Sequence, residues 1–136
     1  MTNFRLIYSI FGDNWNPREL TKAIGIIPTA YWKKGDRIDK YHPNVVLRKE
    51  TNWEYSFGKT NTLLSEDVTE QFVELFSSKV DIIVKYINDN NLTSKLFIIP
   101  EIFPNQVPGI FFDKRLLNLL VKLNAEIDID LYVINE

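Results

Sequence analysis

The 136-residue chain contains no cysteine, so disulfide frameworks, thiolate nucleophiles and Cys-ligated metals are excluded. Its one histidine, His42, precedes Pro43 in a polar stretch. A zinc site would therefore need three or more carboxylate or water ligands, an unusual set. The five glycines, at 12, 25, 35, 58 and 109, form neither a P-loop nor a dinucleotide fingerprint. No serine stands in the G-x-S-x-G setting of a hydrolase elbow. No apolar run approaches the roughly 18 residues a membrane span needs. The opening MTNFRLIYSIFG lacks the basic stretch and cleavage site of a signal peptide, and its alternation reads as a strand. These absences remove the familiar catalytic kits. The expectation is no catalytic residue, no cofactor and no metal, a balance against an enzyme, and a cytoplasmic location.

What is present suits a folded protein. Apolar residues make up 45% and charged residues 25%, ordinary globular values, and the length predicts a single domain over 1–136. The net charge of −2 conceals an asymmetry. Residues 1–60 hold ten basic and six acidic side chains, and residues 61–136 hold six and twelve. Such a division can mark an interaction surface.

Hydrophobic periodicity outlines the elements. Asn3 to Phe11 alternates as a strand. In NPRELTKAIG, Asn16 can cap a helix, Pro17 suits its first position and Gly25 its left-handed end. A loop runs to about Pro43. Short strands are predicted over Val45–Arg48 and Asn52–Phe57, joined by a hairpin turn, with Trp53, Tyr55 and Phe57 on one face. Ser65 opens a long helix whose stripe is Val68, Phe72, Leu75, Phe76, Val80, Ile83 and Ile87, stopped at Asn90-Asn91. Lys95 to Phe103 is apolar on both faces, as in a central strand. Asp113 caps a last helix with stripe Leu116, Leu117, Leu120, Val121 and Leu123. AEIDIDLYVI closes the chain as a strand with Ile127, Ile129, Leu131 and Val133 inward. The order βαββαβαβ predicts an α+β fold. It would have a ferredoxin-like split βαβ core, an added αβ unit, and a mixed or antiparallel sheet with helices on one face.

A strand, then P-x-E-L-T-x-x-x-G-I-x-P, then W-K-K-G, then a strand tryptophan is similar to a bacterial family catalogued as domain of unknown function 4279. The matching residues are Pro17, Glu19, Leu20, Thr21, Gly25, Ile26, Pro28, Trp32, Lys33, Lys34, Gly35 and Trp53. The tail LLNLLVKLNAEIDIDLYVI resembles the family's closing helix and strand, with Asn124 where glycine is usual. The resemblance spans nearly the whole chain and implies no established activity.

Three groupings invite a functional reading. Asp128 and Asp130 fall on one strand face with Tyr132 beyond, a spacing that could hold Mg²⁺ or Ca²⁺. Alternation alone predicts the same carboxylates as a solvated face, and that account is preferred. Trp53, Tyr55 and Phe57 could stack bases, yet exposing three such rings would forgo about 2 kcal/mol each, so they belong to the core. The stretch 31–49 sets Lys33, Lys34, Arg37, Lys40, Arg48 and Lys49 against Asp36 and Asp39, with Tyr31, Trp32, Tyr41 and His42 interleaved. Charge and rings together are what phosphate recognition uses. The structural account there has Trp32 turned inward and the lysines as its wet flank.

The resulting expectation is a small cytosolic bacterial protein acting as a non-enzymatic protein-interaction domain, of immunity or regulatory type, with an unknown protein partner. The alternative is a binder of a small anionic ligand or nucleic acid through loop 31–49, at Lys33, Lys34, Arg37, Lys40, Tyr41 and His42. Nucleic acid is the disfavoured partner, a membrane is not expected, and a homodimer is compatible with either reading.

Overall fold

The computed structural model describes residues 1–135. Its centre is β1 (Asn3–Gly12), paired antiparallel with β3 (Thr51–Asn61) on one side and β4 (Thr93–Ile102) on the other. Outside β3 lies β2 (Ala30–Trp32), antiparallel. Outside β4 lie β5 (Ala125–Ile129) and the two-residue β6 (Tyr132–Val133), both parallel to it. The result is a mixed α+β sheet in the order β2-β3-β1-β4-β5.

Strand parity decides which face is covered. Phe4, Leu6, Tyr8 and Ile10 of β1, with Trp53, Leu96 and Ile98, are buried in one cluster with residues from every α-helix. The other parity, Arg5, Ile7, Ser9 and Phe11 on β1 and Lys95, Phe97 and Ile99 on β4, lies outside that cluster. The helices therefore cover one face and leave the second without a helical layer. Among the described residues no helix is long and apolar enough to cross a membrane.

The helix ends follow local chemistry. α1 (Pro17–Ile24) starts where Asn16 Oδ1 accepts the Arg18 amide at 3.0 Å and stops at Gly25, φ 72°. α4 (Lys114–Lys122) starts where Asp113 accepts the Leu116 amide at 2.9 Å, and the chain turns at Asn124, φ 51°. Asp113→Ala should cost about 1 kcal/mol in a urea melt, the usual worth of such a cap. The long predicted helix is two, α2 (Glu66–Phe76) and α3 (Val80–Asn90), joined by a 3-10 turn at Ser77–Lys79. The Ser77 hydroxyl donates back to the Val73 carbonyl, a competitor for the helical ladder that bends helices. Ser65 does not cap α2. Its buried hydroxyl instead donates to the Phe111 carbonyl at 3.1 Å and accepts the Phe111 amide at 2.8 Å, tying two loops together.

Four other expectations are corrected. Val45–Arg48 is not a strand beside β3. Ala30–Trp32 takes that place, and residue 47 instead bridges residue 37. β3 runs past Phe57 to Asn61 through a bulge opposite Leu6, where Gly58 takes φ 72°. The buried stripe of α4 is Leu116, Leu119, Leu120 and Leu123, so Leu117 and Val121 (79% exposed) face solvent. The closing strand breaks between Ile129 and Tyr132. Ile127 packs on the core, but Ile129, Leu131 (54%) and Val133 (67%) stay exposed.

Candidate binding site on the arm and the uncovered sheet face

Beyond β2 the chain leaves the sheet. Lys33 and Asp36 close a tight turn, with the Lys33 amide on Asp36 Oδ2 at 2.9 Å and the Asp36 amide on the Lys33 carbonyl at 3.0 Å. Gly35 takes φ 94° there, a conformation side chains resist. Residues 35–48 then fold back on themselves. The Gly35 amide donates to Arg48 O at 2.9 Å, Arg48 N to Asp36 O at 2.7 Å, and Ile38 N to Val46 O at 2.9 Å. The tip is held locally by Arg37 Nη2 on the His42 carbonyl (3.1 Å) and by the Tyr41 amide on Asp39 (2.9 Å). From Lys33 to Glu50 every residue is exposed except half-buried Arg48. Ile38, Val45, Val46 and Leu47 are among them. The segment is an arm.

Arg48 joins the arm to the sheet. Its guanidinium lies 3.8 Å above the Trp32 ring. Trp32 is opposite Asn52, and Asn52 opposite Phe11, so the indole occupies the uncovered face. The inward placement expected for Trp32 is therefore corrected: it is half-buried under Arg48 and outside the core. On one side of this stack, a cleft of about 520 Å³ opens between arm and sheet. Phe11, Phe97 and Ser9 line it from the sheet and Ile38, Val46 and Leu47 from the arm. On the other side a groove of about 800 Å³ is bounded by Tyr31, Asp36, Arg37 and Lys40.

The residues singled out from the sequence divide accordingly. Arg37 and Lys40 come together at the outer groove. Lys34 is directed to Asp13 (3.4 Å), with both side chains largely exposed. Lys33, Tyr41 (94% exposed) and His42 line neither cavity, although Tyr41 and His42 form the tip. His42 Nδ1 accepts the Asn44 amide at 3.1 Å. Asp128 and Asp130 stand on either side of Ile129, the end of β5. Asp128 is opposite Phe97, whereas Asp130 follows the strand break and accepts the Tyr132 hydroxyl at 3.0 Å, which raises the phenol's pKa. Among the described residues no three His, Asp or Glu side chains gather as metal ligands. Sequence reasoning missed Phe11, Phe97 and Lys95. The signal for Phe11 and Phe97 was the second apolar side of β1 and β4, left bare in a sheet with helices on one face.

A third cavity, about 790 Å³, lies between the α2–α3 bend and α4, with Asp81, Arg115, Asn118 and Lys122 over valines and Leu119. It has no aromatic wall. The arm and cleft offer the more selective chemistry.

Neither a curated protein nor a solved structure matches the chain. The family model described as Domain of unknown function (DUF4279) matches residues 2–134, and the chain belongs to that family.

Proposed function

We propose that this chain is a non-enzymatic protein-interaction domain, of immunity or regulatory type, whose docking element is the arm. One observation carries the reading: a segment from Lys33 to Glu50 is exposed at every position but Arg48 and includes Ile38, Val45, Val46 and Leu47. Connections of this length without regular structure are uncommon and usually functional, and clustered exposed aliphatics mark contact surfaces. Arg37, Lys40 and Lys49 around them would speed encounter with an acidic partner. The immunity assignment assumes a bacterial, cytosolic setting, with which the lack of cysteine is compatible.

The finer architecture belongs to the same proposal. The order β2-β3-β1-β4 with antiparallel neighbours supports a ferredoxin-like split βαβ core, to which α4 and β5 add one parallel unit. Such a sheet presents one face to helices and frees the other for recognition.

The test is excision of the arm, replacing Arg37–Leu47 by Gly-Asn-Gly. The variant should unfold within about 1 kcal/mol of the parent, because no arm residue belongs to the core. It should no longer retain the protein that the intact chain co-purifies from its native cells. Retention of that protein by the shortened chain would overturn the reading. A second reading, an anionic ligand in the outer groove, is favoured by Arg37, Lys40 and Arg48 facing one space there. Its signature would be binding that weakens with salt.

A further inference from the structure

We propose that the cleft beneath the arm is a small-molecule site for an aromatic carboxylate, a flat ring system carrying one negative charge. This goes beyond the protein-docking role of the arm and uses its inner wall with the sheet. The volume, about 520 Å³, falls within the range of roughly 300–1,000 Å³ typical of such sites. The walls are unlike an ordinary solvated sheet face. Phe11, Trp32 and Phe97 come from three different strands, and Ile38, Val46 and Leu47 stand across from them. A flat ring entering here would remove apolar surface on both of its sides from water, which drives binding without directional contacts.

The charges select the sign. Arg48 lies over Trp32 at 3.8 Å, and Lys95 Nζ lies 5.6 Å from the centre of the Phe97 ring. Among the described residues neither forms a salt bridge. Both cations are held at the rings outside any such pair, with Glu126 opposite Lys95 on β5, and Lys49 adds a third at the margin. The two carboxylates of the cleft are Glu50 and Glu54, and Glu54 Oε1 is occupied by Asn52 Nδ2 at 2.8 Å. A ligand cation would meet Arg48 and Lys95 and be repelled. A ligand carboxylate would find two donors already placed beside its ring, and bonds to charged donors are the stronger class. Ser9, at the floor between Glu54 and Lys95 on the neighbouring strands, offers a hydroxyl to the same group.

The experiment uses the purified full chain and 2-naphthoate, with naphthalene-2-methanol and 2-naphthylmethylamine as neutral and cationic controls. Calorimetry should show naphthoate binding roughly tenfold or more tightly than the alcohol, the worth of one charged hydrogen bond, and the amine weakest. Amide NMR shifts should fall on Ser9, Val46, Leu47 and Phe97. Arg48→Gln and Lys95→Gln should each weaken naphthoate by about tenfold while leaving the alcohol unchanged. The proposal is overturned if millimolar naphthoate moves no resonance, if the shifts fall elsewhere, or if acid, alcohol and amine bind alike. Because only the chain and a small molecule are present, failure here is separate from failure of the protein-docking reading.

Discussion

Trp53→Ala should lower the free energy of unfolding by about 3–5 kcal/mol, whereas Trp32→Ala should cost about 1–2. The residues are one strand apart and differ in which face receives the ring. Trp53 is 0% exposed, donates its indole N–H to Thr21 Oγ1 at 3.0 Å, and meets Phe76 edge-on at 6.2 Å. Phe76 in turn contacts Tyr8, Tyr55, Phe57 and Phe72, so one deletion loosens a continuous aromatic set and leaves a cavity beneath β3. Trp32 gives up half-exposed surface and one cation–π contact. Urea melts decide the matter. Equal losses would mean that Trp32 supports the core and that the arm is more than an appendage.

Alkaline pH should expose the second large effect, at Tyr8. The phenol is fully buried, and burial pushes its pKa far above the ordinary value, the hydrogen bond to Ser94 Oγ at 2.6 Å offsetting this only in part. The folded-state pKa is raised, so the contribution to stability is complete below about pH 10, where the unfolded phenol titrates. It is lost as pH rises toward the folded value, at about 1.4 kcal/mol per pH unit. Tyr8→Phe removes that dependence. At neutral pH the variant should be less stable by about 1 kcal/mol, since Ser94 loses its partner. By about pH 11.5 the order should reverse, the parent having lost roughly 2 kcal/mol relative to the variant. Stability curves that stay parallel from pH 8 to 11.5 would show that the ring ionises without unfolding.

Where local chemistry decided structure, the sequence was legible. Asn16 and Asp113 cap their helices through side-chain oxygens, Gly25 ends one at φ 72°, and Trp53 and Phe72 are buried as their periodicity implied. Where pairing decided it, the reading failed. Val45, Val46 and Leu47 have the stronger strand composition, yet Ala30–Trp32 pairs with β3, because a strand needs a partner edge as well as propensity. A three-residue strand has no pattern with which to announce its register, and a slip of one residue turns Trp32 from core to cleft. The site was legible only in part for the same reason. Arg37 and Lys40 could be picked from a charged run, but Phe11 and Phe97 became candidates only once Trp32 and the arm were seen to lie over the same face.

The two margins of the sheet have a consequence for behaviour at high concentration. A long flat margin is a template on which other chains can polymerise into fibrils. Here one margin is β2, three residues long and followed at once by Lys33 and Lys34, continued by the outer edge of β3 from Tyr55 to Asn61, which the bulge at Gly58 (φ 72°) interrupts. The other is five residues long, stops at Asp130, and resumes for only two. Neither offers the uninterrupted six- or seven-residue segment on which steric zippers grow. The same breaks that shorten the strands should let the folded chain be stored concentrated without seeding amyloid.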